Sequence, residues 1–564
     1  MCKQILLVIA FFQLSFSSWS QMELFNRTYD FNGSFISNAW LEMLVHNDTL
    51  ILLGSSKSSL NTSIEIGLIP ISNSNAFSIN SLWFSSNTKY TPGLGTNFWK
   101  SPTNHDLFIT GAVKSNNLFS NGFICKTNIY GDSLNVFHSE VDTSDFQSSI
   151  YNHINGTITS AGAKVNANNK LDLWLVKYDT SGTLIWENTF GGVESEVSYS
   201  LDKTHDGGYV IAGFTRSYGA GMRDVYVIKT DSMGVLQWQS VFGDSDNDAA
   251  FTKSLENGDI LLYGGSVDPI TEETSSFMRK IDSLGNLKWH KKYGYSLNFD
   301  DALQAIEVTF TGYLLAGFSV DSTDNNPLGW LLKTDFNGNE LWSRRFRKRD
   351  SDNYFRDVLE LPNGDIMLCG FVFSEDTLSQ DAWLVRTNCL GFDTLPKANA
   401  QVEVLAEGEI RLENLSKAWG NCIIDWGDGT SNYVYEDYST LIEHSYPNSE
   451  ERTIKITAMA CGAEDTMYIT IVPSTVYVTK ETLDQFSLYP NPAYERVSLK
   501  IPAFQEENYV VSFYNNLGKK MDISPTATSL GFDINTSTLP PGIYHVVLTH
   551  KNGMRSNKKL VIQD

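Results

Sequence analysis

The fold of this chain is decided by four short stretches, Gly182-Thr-Leu-Ile-Trp186, Gly234-Val-Leu-Gln-Trp238, Gly285-Asn-Leu-Lys-Trp289 and Gly338-Asn-Glu-Leu-Trp342. Their tryptophans follow one another at intervals of 52, 51 and 53 residues. A repeat of about 50 residues built from short apolar runs is typical of a β-propeller, in which each repeat folds as one four-stranded blade.

Two further series of residues keep the same interval. Glycines that end an apolar run lie at Gly54, Gly111, Gly162, Gly213, Gly264, Gly317 and Gly370. Basic residues that follow a second apolar run lie at Lys126, Lys177, Lys229, Lys280, Lys333 and Arg386. Between Trp40 and Leu395 the repeat therefore predicts an all-β, seven-bladed propeller.

The clearest repeat divides into four strands, at 197–204, 209–215, 224–231 and 235–242. Gly207 and Gly208 fit a tight hairpin between the first two strands, because glycine readily adopts positive φ. The repeated tryptophan also resembles that of propeller dehydrogenases with a quinone cofactor. The cofactor-binding residues of that family are absent, so we interpret the tryptophan as packing between blades.

The last repeat stops early, because Trp383-Leu-Val-Arg386 is followed by Asp393-Thr-Leu-Pro396 rather than by a fourth strand. Near the N-terminus, Leu24-Phe-Asn-Arg-Thr-Tyr-Asp30 is similar to Trp186-Glu-Asn-Thr-Phe-Gly191. We predict that residues 24–30 pair with the seventh blade and close the ring, which removes exposed strand edges.

Connections between the second and third strands differ from blade to blade, at 216–223, 267–276, 320–328 and 373–380. They lie on the same side of the propeller as the connections between blades, and we call this side the variable face. Variable loops on a rigid scaffold commonly carry binding sites. Acidic residues on this side are Glu194, Glu196, Asp244, Asp246, Asp248, Asp300, Asp301, Asp350 and Asp352.

Among these acids, Asp244-Ser-Asp246-Asn-Asp248 spaces oxygen ligands as a calcium loop does. Ala249 and Leu255 stand where such a loop has glycine and glutamate. Solvated loop acids are therefore the favoured interpretation, and no metal, cofactor or catalytic residue is assigned.

The N-terminus has the pattern of an export signal, with Lys3, an apolar run at 5–12 and small residues before a cleavage point between Ser20 and Gln21. No later segment is apolar enough to span a bilayer as a helix. The net charge of -23 argues against nucleic acid as a partner.

Five cysteines remain after that cleavage point: Cys125, Cys369, Cys389, Cys422 and Cys461. An exported chain can form disulfides, and an odd number leaves at least one thiol free or available for pairing between chains. We expect Cys422 and Cys461 to be the best candidate pair, because both lie in the same short downstream segment.

Past Pro396 the repeat ends and short alternating strands suggest an immunoglobulin-like sandwich. Asp425-Trp-Gly-Asp-Gly429, followed by His444-Ser-Tyr446, resembles the polycystic-kidney-disease (PKD) type of this domain. The resemblance covers residues 397–475 and implies a spacer or adhesive module. Asp425 and Asp428 are expected to form turns rather than to bind a ligand.

Residues 484–564 resemble the type A C-terminal sorting domain of the type IX secretion system. The resemblance rests on Phe486-Ser-Leu-Tyr-Pro-Asn-Pro-Ala493, 510–518 and Leu539-Pro-Pro-Gly-Ile-Tyr544. It implies a small β-sandwich, passage through the periplasm, interaction with the secretion machinery, and release or surface attachment in a bacterium of the Bacteroidota type. The motif residues are Tyr489, Pro490, Asn491, Pro492, Gly518, Gly542 and Tyr544.

These observations divide the chain into a signal peptide (1–20), a propeller (21–396), an immunoglobulin-like domain (397–475), a linker (476–483) and a sorting domain (484–564). We expect a secreted or surface-attached protein whose variable face binds a glycan or a protein. The alternatives are a polysaccharide hydrolase or lyase that uses two carboxylates of that face, and a structural surface-layer component.

Overall fold

The structure is a computed structural model of the 564-residue chain. It describes residues 24–29, 37–46, 49–57, 64–72, 82–84, 90–91, 98–100, 106–116, 119–128, 133–138, 144–152, 156–179, 181–220, 222–243, 247–267, 274–294, 302–320, 326–348, 352–374, 379–405, 408–435, 441–473, 486–501, 504, 508–515, 519–521, 523–551 and 555–563. Every regular element in these ranges is a β-strand, which confirms the all-β class.

The chain forms two compact units. The first comprises Met1–Lys397 together with Lys417–Asn421 and Ala458–Asp465. The second comprises Ala398–Ser416, Cys422–Thr457 and Thr466–Asp564.

Four sheets of the first unit each contain four consecutive antiparallel strands, and we call them the contiguous blades. They comprise β11 (Ser144–Asn152), β12 (Thr157–Val165), β13 (Leu171–Asp179) and β14 (Leu184–Phe190); β15 (Glu196–Lys203), β16 (Tyr209–Thr215), β17 (Asp224–Thr230) and β18 (Leu236–Phe242); β19 (Asn247–Ser254), β20 (Ile260–Val267), β21 (Thr274–Ile281) and β22 (Leu287–Tyr293); β23 (Ala302–Thr309), β24 (Gly312–Val320), β25 (Pro327–Thr334) and β26 (Glu340–Phe346).

A fifth group of strands combines the two ends of the propeller sequence, and we call it the composite blade. It contains β27 (Asn353–Glu360), β28 (Ile366–Ser374), β29 (Ser379–Thr387) and β1 (Phe25–Tyr29). β1 pairs antiparallel with β29, with Phe25 opposite Arg386 and Tyr29 opposite Ala382. This pairing confirms that the N-terminal segment supplies the outer strand of this blade.

The remaining strands of the first unit belong to the same thirteen-stranded sheet as the composite blade. They are β2 (Ser37–His46), β3 (Thr49–Lys57), β4 (Ile64–Ser72), β5 (Leu82–Phe84), β6 (Tyr90–Thr91), β7 (Phe98–Lys100), β8 (Leu107–Asn116), β9 (Phe119–Thr127) and β10 (Ser133–His138). β2 meets β29 through a parallel pairing of Ser37 with Gln380. The fold is therefore propeller-like.

The turn between the third and fourth strands is built in the same way in each contiguous blade. In the β15–β18 blade, Asp231 Oδ1 accepts hydrogen bonds from the N–H groups of Met233 (2.8 Å) and Val235 (2.9 Å). Gly234 takes a φ of 77°, which glycine adopts without a steric penalty. The side chains of Asp179, Asp282 and Asp335 accept equivalent pairs of bonds.

The repeated tryptophans pack against the next blade, as expected. A Cβ atom on Gly234 would lie 2.6 Å from the Trp186 ring, and one on Gly338 would lie 2.9 Å from the Trp289 ring. The same contact joins Trp238 to Gly285, and Trp342 to Gly391. Each tryptophan therefore needs a glycine in the turn of the following blade.

Apolar side chains from neighbouring blades form shared clusters. One cluster joins Val210, Ala212 and Val227 to Ile260 and Phe277 of the next blade, all at 0% exposure. Burying a side chain of this size contributes about 1.5–3 kcal/mol. Neighbouring blades thus stabilise one another through shared apolar clusters.

Hydrogen bonds also join the first strands of neighbouring blades. Asp202 Oδ2 accepts the N–H of Ser254 (2.7 Å), and Asp357 Oδ2 accepts the N–H of Met43 (2.8 Å). Burial raises the pKa of Asp357 to about 7, although its backbone hydrogen bonds act in the opposite direction. Asp357 thereby links the composite blade to β2.

Past residue 397, two sheets form a β-sandwich. One contains β30 (Ala400–Val404), β31 (Glu409–Asn414) and β34 (Leu441–Ser445); the other contains β32 (Asn421–Asp425), β33 (Ser431–Tyr435), β35 (Arg452–Ala460) and β36 (Ala463–Ile471). Ile410, Leu412, Ile424, Ile454 and Ile456 alternate along their strands and are fully buried. This alternation is what a sandwich core requires.

The C-terminal residues form a second small sandwich of two four-stranded sheets. They comprise β37 (Ser487–Tyr489), β38 (Arg496–Lys500), β42 (Gly531–Asn535) and β41 (Thr526–Thr528), and β40 (Lys520–Met521), β39 (Tyr509–Asn515), β43 (Gly542–His550) and β44 (Arg555–Ile562). Phe486, Val546, Leu548 and Leu560 lie in its core at 0% exposure. The segment thus has its own hydrophobic core.

The expected disulfide between Cys422 and Cys461 is wrong, because Cys461 is bonded to Cys389. Cys422 lies on β32 with its thiol in the sandwich core, at 0% exposure. Cys461 lies in the turn after β35 instead, so the two cysteines occupy different environments despite their proximity in sequence.

Candidate binding face and sorting domain

On the variable face, the loop between β16 and β17 packs against the segment that leads from β14 into β15. The hydroxyl of Tyr218 donates to the carbonyl of Gly191 (3.1 Å), and the N–H of Glu194 donates to Ser217 Oγ (2.8 Å). The N–H of Arg216 donates to the carbonyl of Ser195 (3.0 Å). These bonds fix the two loops to each other.

Glu196 is the buried centre of this arrangement, with 0% exposure. Its Oε1 accepts a hydrogen bond from Thr215 Oγ1 (2.7 Å), and its Oε2 accepts the N–H of Gly192 (2.9 Å). Burial and the nearby Tyr218, Glu196 and Asp172 raise the pKa of Tyr226. Glu196 therefore positions the loops and is inaccessible to a large ligand.

The outer surface of these loops combines an apolar side chain with an ion pair. Val193 is 76% exposed, and next to it Lys170 Nζ lies 2.5 Å from Glu194 Oε2. We name Lys170, Val193, Glu194, Ser217 and Tyr218 the Val193 patch. An exposed aliphatic side chain on an immobilised loop can contact a ligand at little cost in conformational entropy.

Two of the acidic residues predicted for the variable face, Asp248 and Glu196, each lie near an aspartate of the preceding blade that the sequence analysis did not single out. A Cβ atom on Gly243 would lie 2.0 Å from Asp224 Oδ1 and 2.9 Å from Asp248 Oδ2. A Cβ atom on Gly191 would likewise lie 2.3 Å from Asp172 Oδ1 and 2.7 Å from Glu196 Oε2. The carboxylates of neighbouring blades thus meet around a glycine.

Of the segment with calcium-loop spacing, only Asn247 and Asp248 are described, and Asp248 is 1% exposed. Asp244, Asp246, Asp300, Asp301 and Asp350 lie outside the described residues. Within the ranges that the structure covers, no group of three or more His, Cys, Asp or Glu side chains could hold a metal ion. The interpretation of these residues as solvated loop acids stays a prediction.

The acidic turn at 425–429 is stabilised by hydrogen bonds that its two aspartate side chains accept. Asp425 Oδ1 accepts the N–H of Gly427 (3.0 Å), and Asp428 Oδ1 accepts the N–H of Thr430 (2.9 Å). Asp428 Oδ2 lies 2.8 Å from His444 Nε2, and the His444 ring stacks on Trp426 at 4.6 Å. Burial raises the pKa of Asp428, but the bonds from Thr430 and His444 prevail and lower it to about 2. Both aspartates form turns here, as expected.

The motif residues of the C-terminal segment have structural roles. Tyr489 ends β37 and is 73% exposed, whereas Tyr544 is 5% exposed and its hydroxyl donates to the carbonyl of Pro540 (2.8 Å). Gly542 begins β43. Pro490 and Pro492 follow cis peptide bonds. Gly518, Ser20 and Gln21 lie outside the described residues.

The side chain of Asn491 has a role that the sequence pattern did not indicate. Its Nδ2 donates to the carbonyl of Lys559 (2.7 Å), and its Oδ1 accepts the N–H of Val561 (2.9 Å). Asn491 therefore fastens the segment after β37 to the last strand. The sequence indicated only a turn at Asn491, because asparagine is a common turn residue and the two partners of its side chain lie about 70 positions away.

The fold and this motif define an exported, all-β protein with a C-terminal sorting segment. Residues 487–563 match the family described as the secretion system C-terminal sorting domain. The match identifies the C-terminus as a type IX sorting domain, which indicates export and a secreted or surface-attached location. It also implies interaction with the secretion machinery.

Solved structures similar to this chain include a β-propeller domain. The polysaccharide lyase Uly1 is 10% identical, with 66% of this chain and 95% of that chain covered at a TM-score of 0.40. The β-propeller domain of the Trilobed protease from Pyrococcus furiosus is 12% identical, with 64% and 100% covered at a TM-score of 0.36. An acylaminoacyl peptidase from Pyrococcus horikoshii is 10% identical, with 67% and 57% covered at a TM-score of 0.35. The likeness concerns fold class and does not extend to activity.

None of the curated proteins matches the chain in sequence. Among the described residues there is no helix long and apolar enough to cross a membrane.

Proposed function

We propose that this chain is a binding or adhesion protein of a Bacteroidota-type bacterium, exported by the type IX system. A signal peptide (1–20) directs export, and a PKD-type module (397–475) and a linker (476–483) separate the propeller (21–396) from the sorting domain (484–564). The variable face of the propeller binds an extracellular glycan or protein. The match of residues 487–563 to a sorting domain carries the proposal, because such a domain indicates export of the chain.

A closed ring of seven blades is part of this proposal. The β1–β29 pairing and the hydrogen bond from Met43 to Asp357 support it, since both connect the two ends of the repeat region. Closure would make the variable face one continuous surface.

The Val193 patch is the proposed contact region on that face. Its loops are held by Tyr218 and Ser217, and it presents Val193 outward. Tyrosine and aliphatic groups of this kind favour partners with apolar faces and hydroxyl groups, such as glycans, or protein surfaces.

The binding experiment uses the mature chain, residues 21–564, on a glycan array and on the surface proteins of the host bacterium. Val193→Ser should weaken binding about tenfold, since it removes apolar contact area. The matched control is Val235→Ser, because Val235 is also exposed (59%) but lies in a turn at the opposite end of its blade. Equal effects of the two variants, or no binding by the parent chain, would contradict the proposal.

Hydrolysis or elimination of a polysaccharide is the alternative, favoured by the carboxylates that meet around Gly191 and Gly243. Glu196, Asp224 and Asp248 are each at most 1% exposed, which argues against direct contact with a polymer. Incubation of the mature chain with the polysaccharides that it binds separates the two functions. New reducing ends or unsaturated products would establish catalysis in place of simple binding.

A further inference from the structure

The composite blade differs from the contiguous blades in how its outer strand is connected. In the β15–β18 blade, the turn at Asp231 leads directly from β17 into β18. The outer strand of the composite blade is β1, whose Phe25 pairs with Arg386, 361 positions later in the chain. The turn after β29 therefore does not lead into the strand that completes its blade.

That turn nevertheless has the same internal structure. Asn388 Oδ1 accepts the N–H groups of Leu390 and Phe392, both at 3.0 Å. A Cβ atom on Gly391 would lie 2.8 Å from the Trp342 ring, as in the contact between successive contiguous blades. The turn is preserved even though the chain leaves the blade directly after it.

A disulfide bond is anchored in this turn. Cys389 stands where the contiguous blades have Ser232 and Ser283, and it is bonded to Cys461, 72 residues later. Both cysteines belong to the first compact unit, which includes the segment Ala458–Asp465. A second contact acts beside the bond, because the Leu390 side chain lies against Gly420, whose N–H donates to Met459 (2.9 Å).

The backbone of Cys461 supports a specific role for this bond. Cys461 and Gly462 form the two-residue turn between β35 and β36, with φ angles of 52° and 84°. Consecutive positive φ values favour Asn-Gly or Gly-Gly, and a cysteine at the first position has no local advantage. Its presence there points to the cross-link that it forms.

We propose that the Cys389–Cys461 disulfide is a redox-controlled latch of the composite blade. In the oxidised chain the latch holds the turn after β29, and β1 stays paired with β29. In the reduced chain the β1–β29 pairing opens, while the contiguous blades remain folded. The proposal does not depend on what the variable face binds.

The physical reason is that the disulfide restricts the conformations available to the chain when the β1–β29 pairing is open. A disulfide lowers the conformational entropy of the open chain, with an effect that grows with loop length. The loop that this cross-link closes, 389–461, does not include β1, so the bond acts on β1 through the turn that it fixes: Asn26 Nδ2 of β1 donates to Asp393 Oδ2 (3.0 Å), just beyond that turn. β1 has only five residues with which to hold its own pairing, which makes it sensitive to the loss of this contact.

The chemistry is an ordinary thiol–disulfide exchange. Two thiols lose two protons and two electrons to an external disulfide, such as that of a periplasmic oxidoreductase, and a dithiol reductant reverses the reaction. Because cytosolic thiols are kept reduced, the latch forms only after the chain has been exported.

Hydrogen exchange measured by mass spectrometry on the mature chain tests the latch. Dithiothreitol should accelerate exchange at least tenfold in residues 25–29 and 379–387, and should leave residues 224–242 unchanged. Unchanged exchange of β1, or an equal loss in 224–242, would overturn the proposal.

The double variant Cys389→Ser/Cys461→Gly provides an independent measurement. Serine is the residue found at this turn position in two contiguous blades, and glycine suits the positive φ at 461, so neither turn is strained. The variant should show the open β1 without reductant and should not respond to dithiothreitol. A protected β1 in this variant would also overturn the proposal.

Discussion

The β15–β18 and β23–β26 blades each bury a lysine at the same position of the repeat, Lys229 and Lys333, but the surroundings of the two side chains differ. Lys229 Nζ contacts Asp206 Oδ2 (2.8 Å) in the hairpin turn of its own blade, and it also donates to Gln237 Oε1 (2.8 Å). Lys333 has no such carboxylate in its own hairpin turn and donates to the hydroxyl of Thr309. Lys229 is 2% exposed and Lys333 is 6% exposed.

This difference affects the charge of each group. Burial raises the pKa of Asp206, but hydrogen bonds from Lys229, Thr204 and Gly208 outweigh it and lower the value to about 2. Burial lowers the pKa of Lys333, opposed by Glu360. The lysine thus keeps its position within the blade, while a carboxylate in the hairpin turn beside it is present only in the β15–β18 blade.

Removing the carboxylate should have the largest effect. Asp206→Ala leaves the Lys229 ammonium with neutral acceptors only, which should destabilise the β15–β18 blade by about 2 kcal/mol. Hydrogen exchange of the amides in β15–β17 measures this free energy of opening. The amides of β23–β25 are the internal control, and an unchanged β15–β17 would show that the ion pair contributes nothing.

Replacing each lysine by methionine should stabilise the β23–β26 blade and leave the stability of the β15–β18 blade almost unchanged. Lys333→Met removes a buried charge that has no carboxylate in its own hairpin turn, and it should stabilise its blade by about 1 kcal/mol. Lys229→Met should change its blade by less than about 0.5 kcal/mol, because Asp206 is half-exposed and keeps two other hydrogen bonds. Local hydrogen exchange again provides the measurement. Destabilisation by Lys333→Met would contradict the comparison.

The pH dependence should also differ between the blades. Asp206 has a lower pKa when folded, so its contribution is complete above 3.8 and is lost as the pH falls towards about 2. Lys333 also has a lowered pKa, so the unfolded state binds more protons between that lowered pKa and 10.5, and stability rises with pH only in that window. Denaturation curves of the parent, Asp206→Asn and Lys333→Met from about pH 2 to about pH 11 test this. Each variant should lose its own dependence and retain the other.

The smallest effect should come from giving Lys333 the missing partner. Thr309→Asp places a carboxylate beside the ammonium and should stabilise the β23–β26 blade by about 0.5 kcal/mol. Phe310→Asp is the matched control, because it adds the same charge one residue later at a position that is 96% exposed. A similar gain from both variants would indicate a general charge effect instead of a local pair.

Much of the propeller-like region could be predicted because its signals are local and repeated. The tryptophan interval predicted the blades, and the match between residues 24–30 and the segment after Trp186 predicted the β1–β29 pairing. Each of these features depends on residue type and position within one repeat, which the sequence displays directly.

Features that depend on geometry across the fold could not be predicted. Cys422 and Cys461 are close in sequence, but their side-chain directions are set by a strand and by a left-handed turn. The burial of Glu196 under two loops also arises only when neighbouring blades meet. The sequence indicated that Glu196 belongs to the variable face, but it did not show that the side chain is buried and holds the loops by hydrogen bonds.

The contact between tryptophan and glycine has a consequence for how such chains grow. Each repeat presents a tryptophan to the blade after it and a glycine to the blade before it, as with Trp186 and Gly234. A duplicated repeat would therefore already contain the tryptophan that contacts the following blade and the glycine that contacts the preceding one. Gene duplication could lengthen or shorten the series of blades without inventing a new interface, and this leaves the loops of each copy free to diverge.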